Sequence, residues 1–408
     1  MARRPLWHLG RLRSSEDREF LQPGLCDELL INANQLENSP NGTAAYLEET
    51  QLPYVVDPML WRLQLPAWWR NEKGDVKRNY SRLASRYSEG TDVRMAEGPL
   101  LDCVAGDAQW RRIAQNIVSY QRGRLSEQID LFHPEGLAPQ RILAPALVTL
   151  GSREDRLNRL LAEASAEAAG EPVAVTFVLP RERLAVPEEV IRALNAVAKD
   201  GVWAYFIWTP GVTEELLLSD HQVFSGLLRV IQALAESGVP VVHVQGTYLT
   251  EALHDIGVAG IVHHPGWVDK GEPAAEPRGA LRSCQTYVPG LRHCAGFPEA
   301  KKLGRSLDES QYLERYCDCR FCARVFQLGQ HPLDLLLEDQ PVKGRRRTPT
   351  SRAVTANAWH YLNARRLEVE AFRKDPALEV LEQDIARAVA LAGQARGLER
   401  LVAELRSA

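Results

Sequence analysis

Leu29–Ala33, Tyr54–Val56, Ile142–Leu150, Val173–Leu179, Val202–Trp208, Val239–Val244 and Val258–Val262 are short, unbroken apolar runs rich in β-branched and aromatic residues. A strand that is apolar on both faces expects cover on both faces, the situation of a parallel sheet whose crossovers are helices. Helical patterns do lie between the runs, at Asn41–Gln51, Arg153–Ala169, Pro187–Lys199, Gln222–Ser237 and Leu249–Ile256. Pro187 suits a first helical turn, and Gly238 and Gly257 stand where helices end. Seven strands, with a weaker eighth near Gln285–Val288, predict an α/β fold: a (β/α)8, TIM-like barrel. The rival is a doubly wound sheet. No Gly-x-Gly-x-x-Gly or Gly-Lys-Ser/Thr phosphate loop supports it.

Two stretches are too long for simple connections, 60–140 and 265–350. The expected organisation is a barrel over 1–300 with an insertion at about 60–140, a zinc-binding subdomain over 301–350, and C-terminal helices over 351–408 packed on the barrel. Ser351–Lys374 reads as one helix with Ala358, Tyr361, Leu362, Val369 and Phe372 on one stripe; Ala377–Arg406 reads as another.

Composition enters by exclusion. Lys and Arg number 49 against 53 Asp and Glu, a net −4, so the chain is not a wholly basic nucleic-acid binder. A local basic run remains, Lys343-Gly-Arg345-Arg346-Arg347, which Arg352 and Arg365-Arg366 extend. Such density can grip phosphates, or it is a solvated loop. No apolar run is long enough for a membrane span, and the basic start, Met1–Arg13, lacks the apolar core of a secretory signal. A cytoplasmic protein with no membrane partner is expected.

Three of the seven cysteines crowd into Cys317-Asp-Cys319-Arg-Phe-Cys322, a spacing that brings three thiolates to one tetrahedral ion rather than into a disulfide framework. A closed structural site needs a fourth ligand. His360, on a helix, stands beside His331 and Cys294 as the choices. A redox Cys-x-x-Cys is disfavoured because no helix start is evident there. A fully ligated zinc leaves chemistry to the C-terminal ends of the barrel strands.

With these residues in view, the chain resembles the tRNA-guanine transglycosylase superfamily, including the branch that inserts 7-deazaguanines into DNA. Cys317, Cys319 and Cys322 match the family's Cys-x-Cys-x-x-Cys, and Leu307-Asp308-Glu309 is similar to its lead-in. Ala356-Asn357 falls at the family's His-Asn pair, with His360 one turn on. Leu30–Leu36 is similar to the strand ending Asn-Thr-Tyr-His-Leu, and Val55-Val56-Asp57 falls at Thr-Asp-Ser-Gly-Gly, here followed by Pro58-Met59. Val242–Thr247 looks like Met-Gly-Val-Gly-Thr. Ile261-Val262-His263-His264 occupies the place of Met-Phe-Asp-Cys, whose aspartate attacks the sugar carbon. The resemblance implies a barrel transferase with one structural Zn2+, exchanging guanine or a 7-deazaguanine in tRNA or DNA. Its partners would be nucleic acid and the free purine or 7-deazapurine base, with a homodimer or partner proteins in addition.

Breaking a glycosidic bond calls for a carboxylate beside the sugar carbon and an acid or base for the purine. Asp57, at a strand end, is the first candidate, although an Asx turn before Pro58 would use it as well. His264 stands at the missing nucleophile's position and Asp269 follows; Asp102 is a lesser acid. In strand geometry His263 and His264 point to opposite sides. By the same alternation Trp203 and Tyr205 share one face and Trp208 takes the other, for core packing or for stacking a base. Two other functions compete: a diverged, non-catalytic zinc protein that binds nucleic acid, and an unrelated metal-dependent barrel hydrolase built on His243, His263 and His264.

Overall fold

A computed structural model of the chain describes residues 6–65, 68–70, 74–95, 97–128, 138–195, 201–212, 214–244, 248–264, 284–341, 347–395 and 397–407. The seven apolar runs and one further segment become strands: β1 (Trp7–Leu12), β2 (Glu28–Asn32), β3 (Tyr54–Asp57), β4 (Leu143–Ala144), β5 (Val173–Val178), β6 (Val202–Trp208), β7 (Val241–Val244) and β8 (Val258–His263). Their parallel, hydrogen-bonded order, β3-β2-β1-β8-β7-β6-β5-β4, keeps sequence neighbours side by side, with β1 against β8 and β3 and β4 at the two ends. The amide of Gln140, just before β4, reaches the Tyr54 carbonyl of β3 at 2.9 Å and nearly closes the ring. This is a (β/α)8 barrel.

The eighth strand is not where the sequence placed it. Trp7–Leu12 alternates bulky apolar residues with His8, Gly10 and Arg11, so it lacks the unbroken apolar signature of its neighbours. Gln285–Val288 is a strand (β9), but it pairs antiparallel with His293–Gly296 (β10) outside the barrel. Ile142–Leu150 shrinks to two ladder residues and an isolated bridge, Val148 to Val178.

Alternation along β1 sorts two populations of side chains. Arg11 reaches Asn32 at the end of β2 and Asp57 at the end of β3, and its guanidinium lies 5.7 Å from the Trp208 ring of β6, so it points into the barrel at the C-terminal end. Trp7 shares that inward parity at the opposite end, its ring 6.3 Å from Trp203 of β6. Trp203 therefore lies inside with Trp208, whereas Tyr205 packs on Phe177 of β5 and hydrogen-bonds Ser237 beyond a helix end. The expected parity fails because the β5–β6 register slips at Val173/Ala174, where Val202 and Ala204 face successive partners and Trp203 bulges.

His8, of outward parity, meets the helix Ser351–Lys374, which runs across the outer face of β8 and β1. The predicted helices are present with small shifts at their ends, except that Ala377–Arg406 is two helices, Ala377–Ala392 and Leu398–Ser407. Gly393 ends the first with φ +72°, a left-handed cap the apolar stripe did not reveal. The end of Pro187–Lys199 beyond Asn195 lies outside the described residues. No described helix is long and apolar enough to cross a membrane.

Candidate functional site

Two sites emerge, a cysteine–histidine centre on the barrel's flank and the barrel mouth. The first begins at Tyr312–Tyr316, a single π-turn in which the Cys317 amide bonds the Tyr312 carbonyl at 3.0 Å. The wider turn lets the backbone leave the helix with Cys317 extended. Cys319 then caps the helix Arg320–Gln327 and Cys322 sits in its first turn. A helix start is present after all, hidden from sequence by the lack of a Ser, Thr, Asp or Asn cap. Its dipole favours negative sulfur.

His360, in the middle of Ser351–Lys374, supplies the opposite side. Its Nδ1 lies 3.8 Å from Cys317 Sγ, 3.5 Å from Cys319 Sγ and 3.4 Å from Cys322 Sγ. Its Nε2 donates to the Tyr287 carbonyl of β9 at 2.9 Å, so the lone pair is on the nitrogen that faces the sulfurs. All four residues are fully buried, and their ligand atoms lie within 4.8 Å of one another, a group that can hold a metal ion. The other fourth-ligand choices serve elsewhere: His331 caps Pro332–Leu336, accepting from the Leu333 amide, and Cys294 lies in β10. Asn357 bonds the carbonyls of Leu336 and Ala353, tying the ligand-bearing helix to the module.

At the mouth, Asp57 accepts from Arg11 at 3.1 Å, from the Met59 amide at 2.9 Å and from the Trp61 indole at 3.4 Å. The Asx turn is therefore real, and the same carboxylate is also one half of a buried ion pair. Met59 takes a left-handed φ of +57°, unusual outside glycine, which swings the chain so that Trp61 returns over the mouth. Trp61 and Trp208 meet edge to face at 4.3 Å. Burial drives the Asp57 carboxyl above its ordinary range, against the pull of Arg11 and its other donors.

His264, just past β8, lies 3.4 Å from Asp17, on the loop after β1. Asp17 also takes the amides of Arg13 and Ser14, and burial works against these partners, which hold it below the usual carboxylate range. Asp17 and Arg11 escaped notice for one reason: β1 did, so the residues on it and just after it had no place in a barrel. Asp102 is exposed on a short helix. Asp269, Lys343, Arg345 and Arg346 lie outside the described residues.

The histidine-rich metal site of the hydrolase reading does not assemble. Ring nitrogens of His243 lie 3.3 Å from the Thr209 hydroxyl and 3.2 Å from that of Thr250. His263 faces outward to His8 at 2.8 Å and Arg365 at 3.0 Å, while His264 turns to Asp17. Strand alternation separates the two neighbours, as expected. Of the basic residues, the described ones are engaged: Arg347 is paired with Asp339, Arg365 is buried among Glu251, Glu368 and Tyr287, and Arg366 is paired with Asp27 and Glu370. These two helix arginines bind the helix to the barrel.

No family model and no curated protein matches the chain. Among solved structures it is similar to a "putative dihydrodipicolinate synthetase" from Pseudomonas aeruginosa, at 12% identity and a TM-score of 0.34, with 89% of this chain and 99% of that one covered.

Proposed function

We propose that the chain is a zinc-containing barrel that exchanges guanine or a 7-deazaguanine in tRNA or DNA. The observation that carries this reading is the convergence of Cys317, Cys319, Cys322 and His360 on the flank of a barrel whose mouth holds a strand-end aspartate. Zinc suits the donor set. Bond lengths of about 2.3 Å to sulfur and about 2.05 Å to nitrogen give a tetrahedral S···N edge of about 3.6 Å. The separations here run from 3.4 to 3.8 Å. With four protein ligands the ion would be structural, joining the cysteine segment to the helix that covers β8 and β1.

Chemistry then belongs to the mouth. Asp57 would oppose the positive charge that grows on the sugar carbon as the glycosidic bond breaks. His264, supported by Asp17, would move the proton that the departing base needs. The paired indoles of Trp61 and Trp208 offer a wall for a planar base. One observation favours the non-catalytic reading as well: Arg11 already neutralises the carboxylate on which exchange depends.

Labelled guanine and a labelled 7-deazaguanine, offered with tRNA and with duplex DNA to the zinc-loaded chain, decide between the two. Incorporation into either polymer that Asp57→Asn abolishes is the expected result. No incorporation into either by folded, zinc-loaded protein overturns the enzymatic reading.

A further inference from the structure

The helix Arg78–Tyr87, inside the long insertion after β3, has two very different faces. Tyr80, Leu83, Ala84 and Tyr87 are buried, and the Tyr87 hydroxyl bonds the Pro58 carbonyl at 2.9 Å, next to Asp57. The Tyr80 ring lies 5.8 Å from the guanidinium of Arg62 on the short helix that follows Asp57. One face thus closes the side of the mouth.

The other face carries Arg78, Arg82 and Arg86, each four residues after the last, with Ser81 and Ser85 alongside. Helix stability does not explain this pattern. Like charges at i,i+4 repel, and a cation in the first turn opposes the helix dipole. The face borders a cleft of about 350 Å³ lined by Ser81, Arg82, Ser85, Arg86, Glu37 and Arg124. Glu37 and Glu127 balance Arg86 and Arg124, since each carboxylate bridges both guanidiniums. Among the described residues Arg78 and Arg82 have no acidic partner, and the one hydrogen bond of Arg82 is a long contact of 3.5 Å to the Glu37 carbonyl. Two guanidiniums are therefore left in excess along one exposed edge of a cleft, with serine hydroxyls between them.

We propose that this face is a phosphate-binding strip for a nucleic-acid backbone, with Arg78 and Arg82 as its principal contacts and the hydroxyls of Ser81 and Ser85 beside them. Fork-shaped guanidiniums and hydroxyls are the donors that phosphate oxygens take. Four residues of helix advance about 6 Å, close to the step between successive phosphates of an extended strand. The strip rests on the nucleic-acid reading above and adds where the polymer lies: on the insertion helix that walls the mouth.

Fluorescence anisotropy with labelled tRNA and labelled duplex DNA over a salt series tests this with the zinc-loaded full chain. Arg78→Ala with Arg82→Ala is expected to weaken binding at low salt by about tenfold or more, and to lower the slope of log K against log salt by roughly 1.5–2, the loss of two phosphate contacts. Arg82→Lys keeps a charge and should retain most of the slope. The double variant removes exposed like charges, so its melting temperature should not fall, which separates lost contact from lost fold. Unchanged affinity and slope overturn the strip, as does a wild-type chain that binds neither polymer. Base exchange that persists beside an unchanged slope would sink the strip alone. A strip-dependent slope without any exchange would sink the enzymatic reading alone.

Discussion

His360 Nε2 donates to the Tyr287 carbonyl at 2.9 Å, and that bond turns Nδ1 of the same ring toward three cysteine sulfurs. The contact links two distant stretches of chain. The Tyr287 hydroxyl receives Arg365 at 3.1 Å and donates to Glu368 at 2.9 Å, and Arg365 continues to His263 on β8. One tyrosine thus touches the cysteine–histidine centre through its backbone and the barrel wall through its phenol.

Elemental analysis of the purified chain should find one zinc per molecule, and Cys319→Ala should remove it. Because the ligands come from two separate segments, metal loss should lower thermal stability too. An ion present at a thousand times its dissociation constant adds about 4 kcal/mol. Unaltered stoichiometry in Cys319→Ala would contradict the centre.

Arg11 and Asp57 form a buried pair, with side chains 3% and 11% exposed. Arg11→Leu or Asp57→Leu alone should cost about 3–5 kcal/mol in denaturant unfolding, since each strands a buried charge. The double replacement should cost clearly less than the sum of the two. Additive losses would show that the pair is not coupled.

His243 predicts an acid limb of stability. Burial pulls its imidazole down to about 4 from an ordinary value near 6.5, with the Thr209 and Thr250 hydroxyls against its two nitrogens. Between these values the unfolded chain binds a proton that the folded one refuses, so stability falls as pH drops from about 6.5 towards 4. The loss should amount to a few kcal/mol, because each tenfold difference in proton affinity between the folded and unfolded chain is worth about 1.4 kcal/mol. His243→Gln should flatten this limb relative to wild type in urea melts at several pH values. An identical pH slope would remove His243 from the account.

Gly290 lies in the middle of the short turn Pro289–Leu291 before β10, and an added Cβ would stand well inside van der Waals contact of the Arg315 carbonyl. That carbonyl lies two residues before Cys317. Gly290→Ala should displace the π-turn, at about 1–3 kcal/mol, and weaken metal affinity in competition with a chromophoric chelator. Equal affinity would mean that the turn does not position Cys317.

Local pattern was enough for the strands buried on both faces, because an unbroken apolar run has no other stable home. It was also enough for Ser351–Lys374 and for three cysteines bound for one point, since six residues cannot carry thiols far apart. Composition by itself left the rest open. β1 was missed because its polar residues have partners that sequence does not display: Arg11 finds Asn32 and Asp57, and His8 finds His263. The sequence favoured His360 for its place on a helix, and the long helix lying across the barrel is what brings it, and not His331 or Cys294, to the three sulfurs. The bulge at Trp203, and the Arg78–Arg82–Arg86 face beside its cleft, likewise depend on neighbours far along the chain. Periodicity reports how much of a residue is covered. Which polar group meets which is settled by the closing of the ring and by the helix that wraps it.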